Sequence, residues 1–147
     1  MGEPMTNLAE LLPHRPPLLW IEGLLECTAT AAVATAFFGV DHFAVVNGRV
    51  AEAALVECVA QTAAAAAGER ARAQSQQPPP GPTGGASGGM LVAVTDFQIR
   101  SCPVAGSRLR IEVEERRRFG PMVQVFGKIC CGTEATPVAE GVLTLYA

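Results

Sequence analysis

Between Val50 and Arg72 the chain reads "VAEAALVECVAQTAAAAAGERAR", a run that is rich in alanine, has no proline and carries arginines at its far end. Alanine loses least on entering a helix, and Arg70 and Arg72 suit the negative end of the helix dipole. At 1.5 Å per residue such a helix is on the order of 30 Å long, enough to cross a whole small sheet. A helix this apolar needs surfaces that bury it, so the rest of the chain has to supply them.

The flanking segments read as strands. Upstream, "TNLAELLP" carries an N-cap candidate at Thr6 or Asn7 and a stop at Pro13, which predicts a short helix. "LLWIEGLLECTAT" and "AAVATAFFGV" then pair as a predicted hairpin. Downstream come "MLVAVTDFQIR", "SRLRIEVEERRRF", "MVQVFGKICC" and "PVAEGVLTLYA". In the second of these, Leu109, Ile111 and Val113 alternate with Arg108, Arg110, Glu112 and Glu114, the period of a strand with one dry and one wet face. The short connections "CPVAGS" and "FGP" predict antiparallel pairing of the strands they join. One long helix with about six strands, most of them after it, implies an α+β fold: an antiparallel sheet wrapped around one central helix. Residues 74 to 89, "QSQQPPPGPTGGASGG", break the pattern; their Pro/Gly/Ser/Gln composition buries too little apolar surface to offset chain entropy and predicts a mobile loop.

Length and charge narrow the function. A chain of 147 residues is expected to form a single domain, residues 1 to 147, with one core. A net charge of −3 offers no clustered positive surface for phosphates, so no nucleic-acid partner is expected. No stretch approaches about 18 uninterrupted apolar residues and the N-terminus lacks a signal-peptide pattern, so a soluble, cytoplasmic protein without membrane contact is expected. The five cysteines, Cys27, Cys58, Cys102, Cys130 and Cys131, form no ligand pattern. Free, mostly buried thiols and no metal are expected.

Three blocks, in order, resemble the β-hydroxyacyl-acyl-carrier-protein dehydratases, a hotdog-fold family. "LLPHRPPLLWIEGLLE" is similar to the family's entry segment at Leu12, Pro13, His14, Arg15, Pro17 and Glu22. "DHFAVVNGRVAEAALVECVAQ" is similar to its His-Phe, loop and Glu-x-x-Ala-Gln helix at His42, Phe43, Glu57, Ala60 and Gln61. The tail from Asp96 to Leu145, with Pro103, Val104, Gly106 and Leu109, is similar to its closing strands. The loop "AVVNGRVAEA" departs from the family: it lacks the prolines, and Ala51 or Glu52 stands where a glycine opens the helix. In this it looks nearer to the aryl-polyene and polyketide-associated members.

The resemblance implies a hydro-lyase that removes water from a 3-hydroxyacyl thioester without a cofactor. Its substrate would be carried by acyl-carrier protein or coenzyme A, and its assembly would be a homodimer or a heterodimer with another hotdog chain. Elimination needs a base for the α-proton and an acid for the departing hydroxyl. His42 is the expected base and Glu57 the expected acid, its carboxyl set among Ala53, Ala54, Val56 and Ala60. Backbone N–H groups from Ala51 to Ala54 would face the enolate-like oxygen, and Gln61, one turn beyond Glu57, would hold the carboxyl in place. Phe43, Gly48, Ala51, Glu52, Ala53 and Gln61 are therefore the expected substrate-binding positions.

Plainer readings stand beside these. His14 is expected to be structural, Glu52 solvated, Cys58 a buried thiol and the Arg116-Arg117-Arg118 run a wet strand end or a carrier-protein contact. Two other functions use the same fold: a thioesterase acting through Glu57 beside the Asn47-Gly48 turn, and a non-catalytic partner of an active dehydratase. One consequence is independent of function. Deleting several residues within 74 to 89 should leave the melting temperature nearly unchanged in a thermal scan; a large drop would mean that the segment is packed.

Overall fold

The computed structural model describes residues 7–13, 18–75 and 90–146. The elements run α1 (Leu8–Leu11), β1 (Ile21–Cys27), β2 (Ala31–Phe37), β3 (Val45–Val46), β4 (Arg49–Val50), α2 (Glu52–Ser75), β5 (Met90–Ile99), β6 (Arg108–Phe119), β7 (Met122–Cys131) and β8 (Ala139–Tyr146). From residue 76 on, the Pro/Gly-rich stretch lies outside the described residues, as do His14, Arg15 and Pro17 of the entry segment.

The alanine run is α2, 24 residues long. It starts two residues later than expected because Val50 belongs to β4, whose partner strand is reached through the Asn47-Gly48 turn. Both turn residues have positive φ, 52° and 76°, the geometry of a tight hairpin turn that Asn-Gly favours. In its middle, Gln61 to Ala66 are all buried, so no wet face interrupts the helix there. One side lies mainly across β1, β2 and β6. On another, α1 supplies buried Leu8 and Leu11, and Leu11 crosses at Gly68. A Glu10–Arg72 ion pair at 2.8 Å closes this crossing.

The six-stranded sheet has the order β1-β2-β6-β7-β8-β5, every pair antiparallel. The β1–β2 and β6–β7 hairpins are as expected, and Leu109, Ile111 and Val113 are buried while their neighbours are not. The connection "CPVAGS" does not make a hairpin. β5 pairs with β8 and forms a sheet edge, whereas β6 inserts between β2 and β7. The intervening loop is captured by other backbone: Val50 N–H donates to Pro103 O (2.8 Å), Ala105 N–H to Gly48 O (2.9 Å) and Gly106 N–H to Phe38 O (2.8 Å). Those bonds carry the chain across the sheet instead of back along β5.

Two glycines set how closely the layers meet. Gly127 and Gly141 are direct cross-strand partners on β7 and β8, so their missing side chains open one trough on the helix side of the sheet. Val59 of α2 fills it over Gly127, and the backbone of Phe97 fills it over Gly141; a Cβ at either glycine would overlap these atoms. Phe97 gets there because β5 bulges between Thr95 and Gln98, with Asp96 at φ 52°. Gly127→Ala should cost about 1–3 kcal/mol as overpacking, a fall in melting temperature of several degrees for a domain of this size. Val59→Ala should restore much of that loss in the Gly127→Ala background but none of it for Gly141→Ala; equal effects on both would show that Val59 is not the obstacle.

Candidate functional site

His42 is set in a tight turn after β2. Its N–H donates to Gly39 O (3.0 Å) and its carbonyl accepts from Val45 N–H (2.9 Å). Its ring accepts: Ala44 N–H donates to Nδ1 at 3.0 Å. Ala44 is buried, and its own carbonyl accepts Ala51 N–H at 2.8 Å, which ties the His42 turn to the start of α2. Without the ring nitrogen that buried N–H would lose its acceptor, at a cost of about 1–3 kcal/mol.

Three aromatic rings confine the imidazole. Buried Phe38 meets it edge-on at 4.9 Å, Trp20 edge-on at 6.2 Å, and Phe43 stacks on it at 4.9 Å and 19°. Phe43 is 58% exposed, so it forms the outer wall of the half-buried histidine. Trp20, the chain's single tryptophan, was not singled out from sequence. Its position directly before β1, opposite the His-Phe turn, is a tertiary fact, and its single occurrence was the only available hint.

Glu57 is half-buried on α2, one turn before Gln61. Gln61 is 1% exposed and spends both ends of its amide. Nε2 donates to Leu18 O (2.8 Å) and Glu57 Oε1 (3.2 Å); Oε1 accepts Trp20 N–H (2.9 Å) and Ile21 N–H (3.3 Å). His42 and Glu57 are thus linked in one chain through Trp20 and Gln61. Of the apolar neighbours expected around Glu57, Ala54 and Ala60 are buried but Ala53 is exposed.

The helix start differs from expectation. Ala51 N–H is taken by Ala44 O and Ala54 N–H by Ala51 O at 3.0 Å, so neither is open to a substrate oxygen. The N–H groups of Glu52 and Ala53, the exposed first residues of α2, have no i−4 carbonyl within the helix to bond. Gly48 belongs to the exposed turn whose carbonyl is held by Ala105. Cys58 is fully buried, and burial followed by the charge of neighbouring Glu57 pushes its thiol well above the usual range, which removes it as a nucleophile. Of the five cysteines only Cys58 and Cys130 are buried, fewer than expected, and all five are free thiols. Among the described residues no group of three His, Cys, Asp or Glu side chains is placed to hold a metal, and no helix is long and apolar enough to cross a membrane.

The family model for the ApeP-like proteins, described as ApeP dehydratase, matches residues 6–147. The chain belongs to the ApeP-like dehydratase family. The dehydratase heterocomplex ApeI:P from Xenorhabdus doucetiae is similar at TM-score 0.79 and 18% identity, covering 96% of this chain and 90% of that one. The PaaI protein from the phenylacetic acid degradation operon of E. coli follows at TM-score 0.62 and 13% identity, covering 84% and 81%. Zebrafish thioesterase superfamily member 2 gives 0.62 and 10%, covering 85% and 80%. No curated protein matches the sequence. At these identities the neighbours show the fold, which is the hotdog fold that the resemblance implied.

In this ApeP-like chain the Gln61 amide is the joint between scaffold and site. Gln61→Leu should remove the acceptor that the Trp20 and Ile21 N–H groups share and cost about 1–3 kcal/mol, read as a lowered denaturation midpoint with unchanged m-value. An unchanged midpoint would mean that these amides find another partner.

Proposed function

We propose that the protein dehydrates a 3-hydroxyacyl thioester to the trans-2-enoyl thioester, with His42 and Glu57 dividing the work of the elimination. The observation that carries this reading is that a family model of dehydratases matches nearly the whole chain, while the His42 ring meets Trp20, whose backbone shares the Gln61 amide with Glu57. Removing the α-proton and expelling hydroxide requires proton transfer at two adjacent carbons and a donor for the developing enolate oxygen. The N–H groups of Glu52 and Ala53 suit that oxygen, and Phe43 suits the wall of an acyl or pantetheine channel beside His42.

The site is proposed to be completed by a second subunit. β5 is a sheet edge whose residues Leu91 to Asp96 are all exposed, including Val92 at 49% and Val94 at 47%. Such an edge invites edge-to-edge pairing. A continuous sheet through β5 would bring His42 of one subunit toward Glu57 of the other. The partner is a second copy or another hotdog chain; the X. doucetiae relative is described as a heterocomplex, which supports the second possibility. A neighbour from Streptococcus mutans is described as bound to acetyl CoA, which supports a thioester substrate, on coenzyme A or acyl-carrier protein.

Purified protein, alone and with a co-expressed hotdog partner, should hydrate a short enoyl thioester without releasing free thiol. Release of thiol instead would move the reading to a thioesterase, and turnover only in the complex would make this chain one half of a shared enzyme. His42→Ala and Glu57→Gln should each lose about 10² to 10⁴ in rate. If the active form is a homodimer, mixing the two variants should return up to about a quarter of wild-type turnover, because half the dimers would hold one intact site of two. No rescue despite proven subunit exchange would place both residues in one chain's site.

A further inference from the structure

We infer that His42 is held as an Nε2–H donor, so that it binds the thioester carbonyl oxygen while Glu57 alone carries the proton from the α-carbon to the departing hydroxyl. This rests on the dehydratase reading above and changes the roles the sequence suggested for the two residues.

The Ala44 N–H at 3.0 Å can donate only to a ring nitrogen that bears no proton, so the neutral ring carries its proton on Nε2. A base at Nε2 needs the opposite tautomer. Turning the ring over would set Cδ2–H against the Ala44 amide and strand an N–H in a residue 6% exposed. Charging the ring would set Nδ1–H against the same N–H. The turn has little freedom to relieve either conflict, because Ala44 is tied at its other end to Ala51 and the ring lies between Phe38 and Phe43. As held, His42 presents an N–H at Nε2 and not a lone pair.

The elimination balances with one titrating group. The Glu57 carboxylate takes the α-proton, and the Cα–H electron pair moves to the thioester oxygen, where His42 Nε2–H meets the developing negative charge. The pair then returns to form Cα=Cβ, the Cβ–O bond breaks, and the leaving hydroxide takes the proton from Glu57. Water departs, Glu57 is again a carboxylate and His42 is unchanged. The Gln61 N–H on Glu57 Oε1 holds the carboxyl in position for this cycle.

Two measurements on the active protein, in whatever assembly it turns over, test this. In ¹⁵N-edited spectra the His42 ring should show an unprotonated Nδ1 and a protonated Nε2 at neutral pH. His42→Gln, which offers an amide N–H but no base, should retain turnover within about tenfold of wild type, whereas His42→Ala should lose about 10² to 10³ and Glu57→Gln at least as much. A ring protonated at Nδ1, or a Gln variant as slow as Glu57→Gln, would overturn the inference and leave the dehydratase reading standing. A wild type inert toward every 3-hydroxyacyl and enoyl thioester, alone and with a partner, would overturn the dehydratase reading and the catalytic roles with it.

Discussion

Much of the molecule depends on one buried amide. Gln61 lies deep on a helix whose other buried residues are alanine, leucine, valine, cysteine and Thr62, where an unpaired polar group would be costly. Its four hydrogen bonds, to Leu18, Trp20, Ile21 and Glu57, remove that cost and impose geometry in exchange. They fix where the chain enters β1, and so where the Trp20 ring stands against the His42 turn. They also fix Glu57, on the helix turn before. The scaffold and the site are therefore not separable in this fold: the group that satisfies the backbone of the first strand is the group that aims the carboxyl.

The same economy appears in the packing. An alanine-rich helix can approach a sheet closely, but only where the sheet gives way. The Gly127 and Gly141 pair does so, accepting Val59 and Phe97 into one trough. Polar needs inside this contact are met locally; the Thr62 hydroxyl, fully buried, donates to Cys58 O at 2.7 Å. At the other end of the helix Arg70 serves as a staple, donating from Nε to Thr28 O (2.7 Å) and pairing with Glu115 (3.8 Å), so the β1–β2 turn is held to α2 and β6.

What could be read from the residues follows from the range of the forces involved. The alternation in β6, the Asn47-Gly48 and Gly120-Pro121 turns and the alanine run are local signals, and the elements they predicted are present. His42, Glu57 and Gln61 are candidate site positions through pattern resemblance alone, whereas the Glu57–Gln61 bond was legible through helical spacing. Three features were not legible because each depends on distant chain. β5 leaves β6 because Phe38, Gly48 and Val50 capture the connecting loop. Ala51 offers no free N–H because Ala44, seven residues earlier, has taken it. Trp20 belongs to the site only because Gln61 draws its backbone there.

The loop between His42 and α2 is where this chain departs from the family pattern it otherwise resembles. Without a glycine at the helix start, the turn closes on itself through Ala44 and sets both the ring orientation and the available backbone donors. A crystal structure with a stable 3-hydroxyacyl thioester analogue tests this arrangement most directly. The account predicts the thioester oxygen at His42 Nε2 and the α-carbon beside the Glu57 carboxyl at near-attack separations of about 3–3.5 Å. An analogue seated instead in the groove of about 360 Å³ lined by Thr35, Arg108 and Arg110 on the sheet, away from both residues, would contradict it.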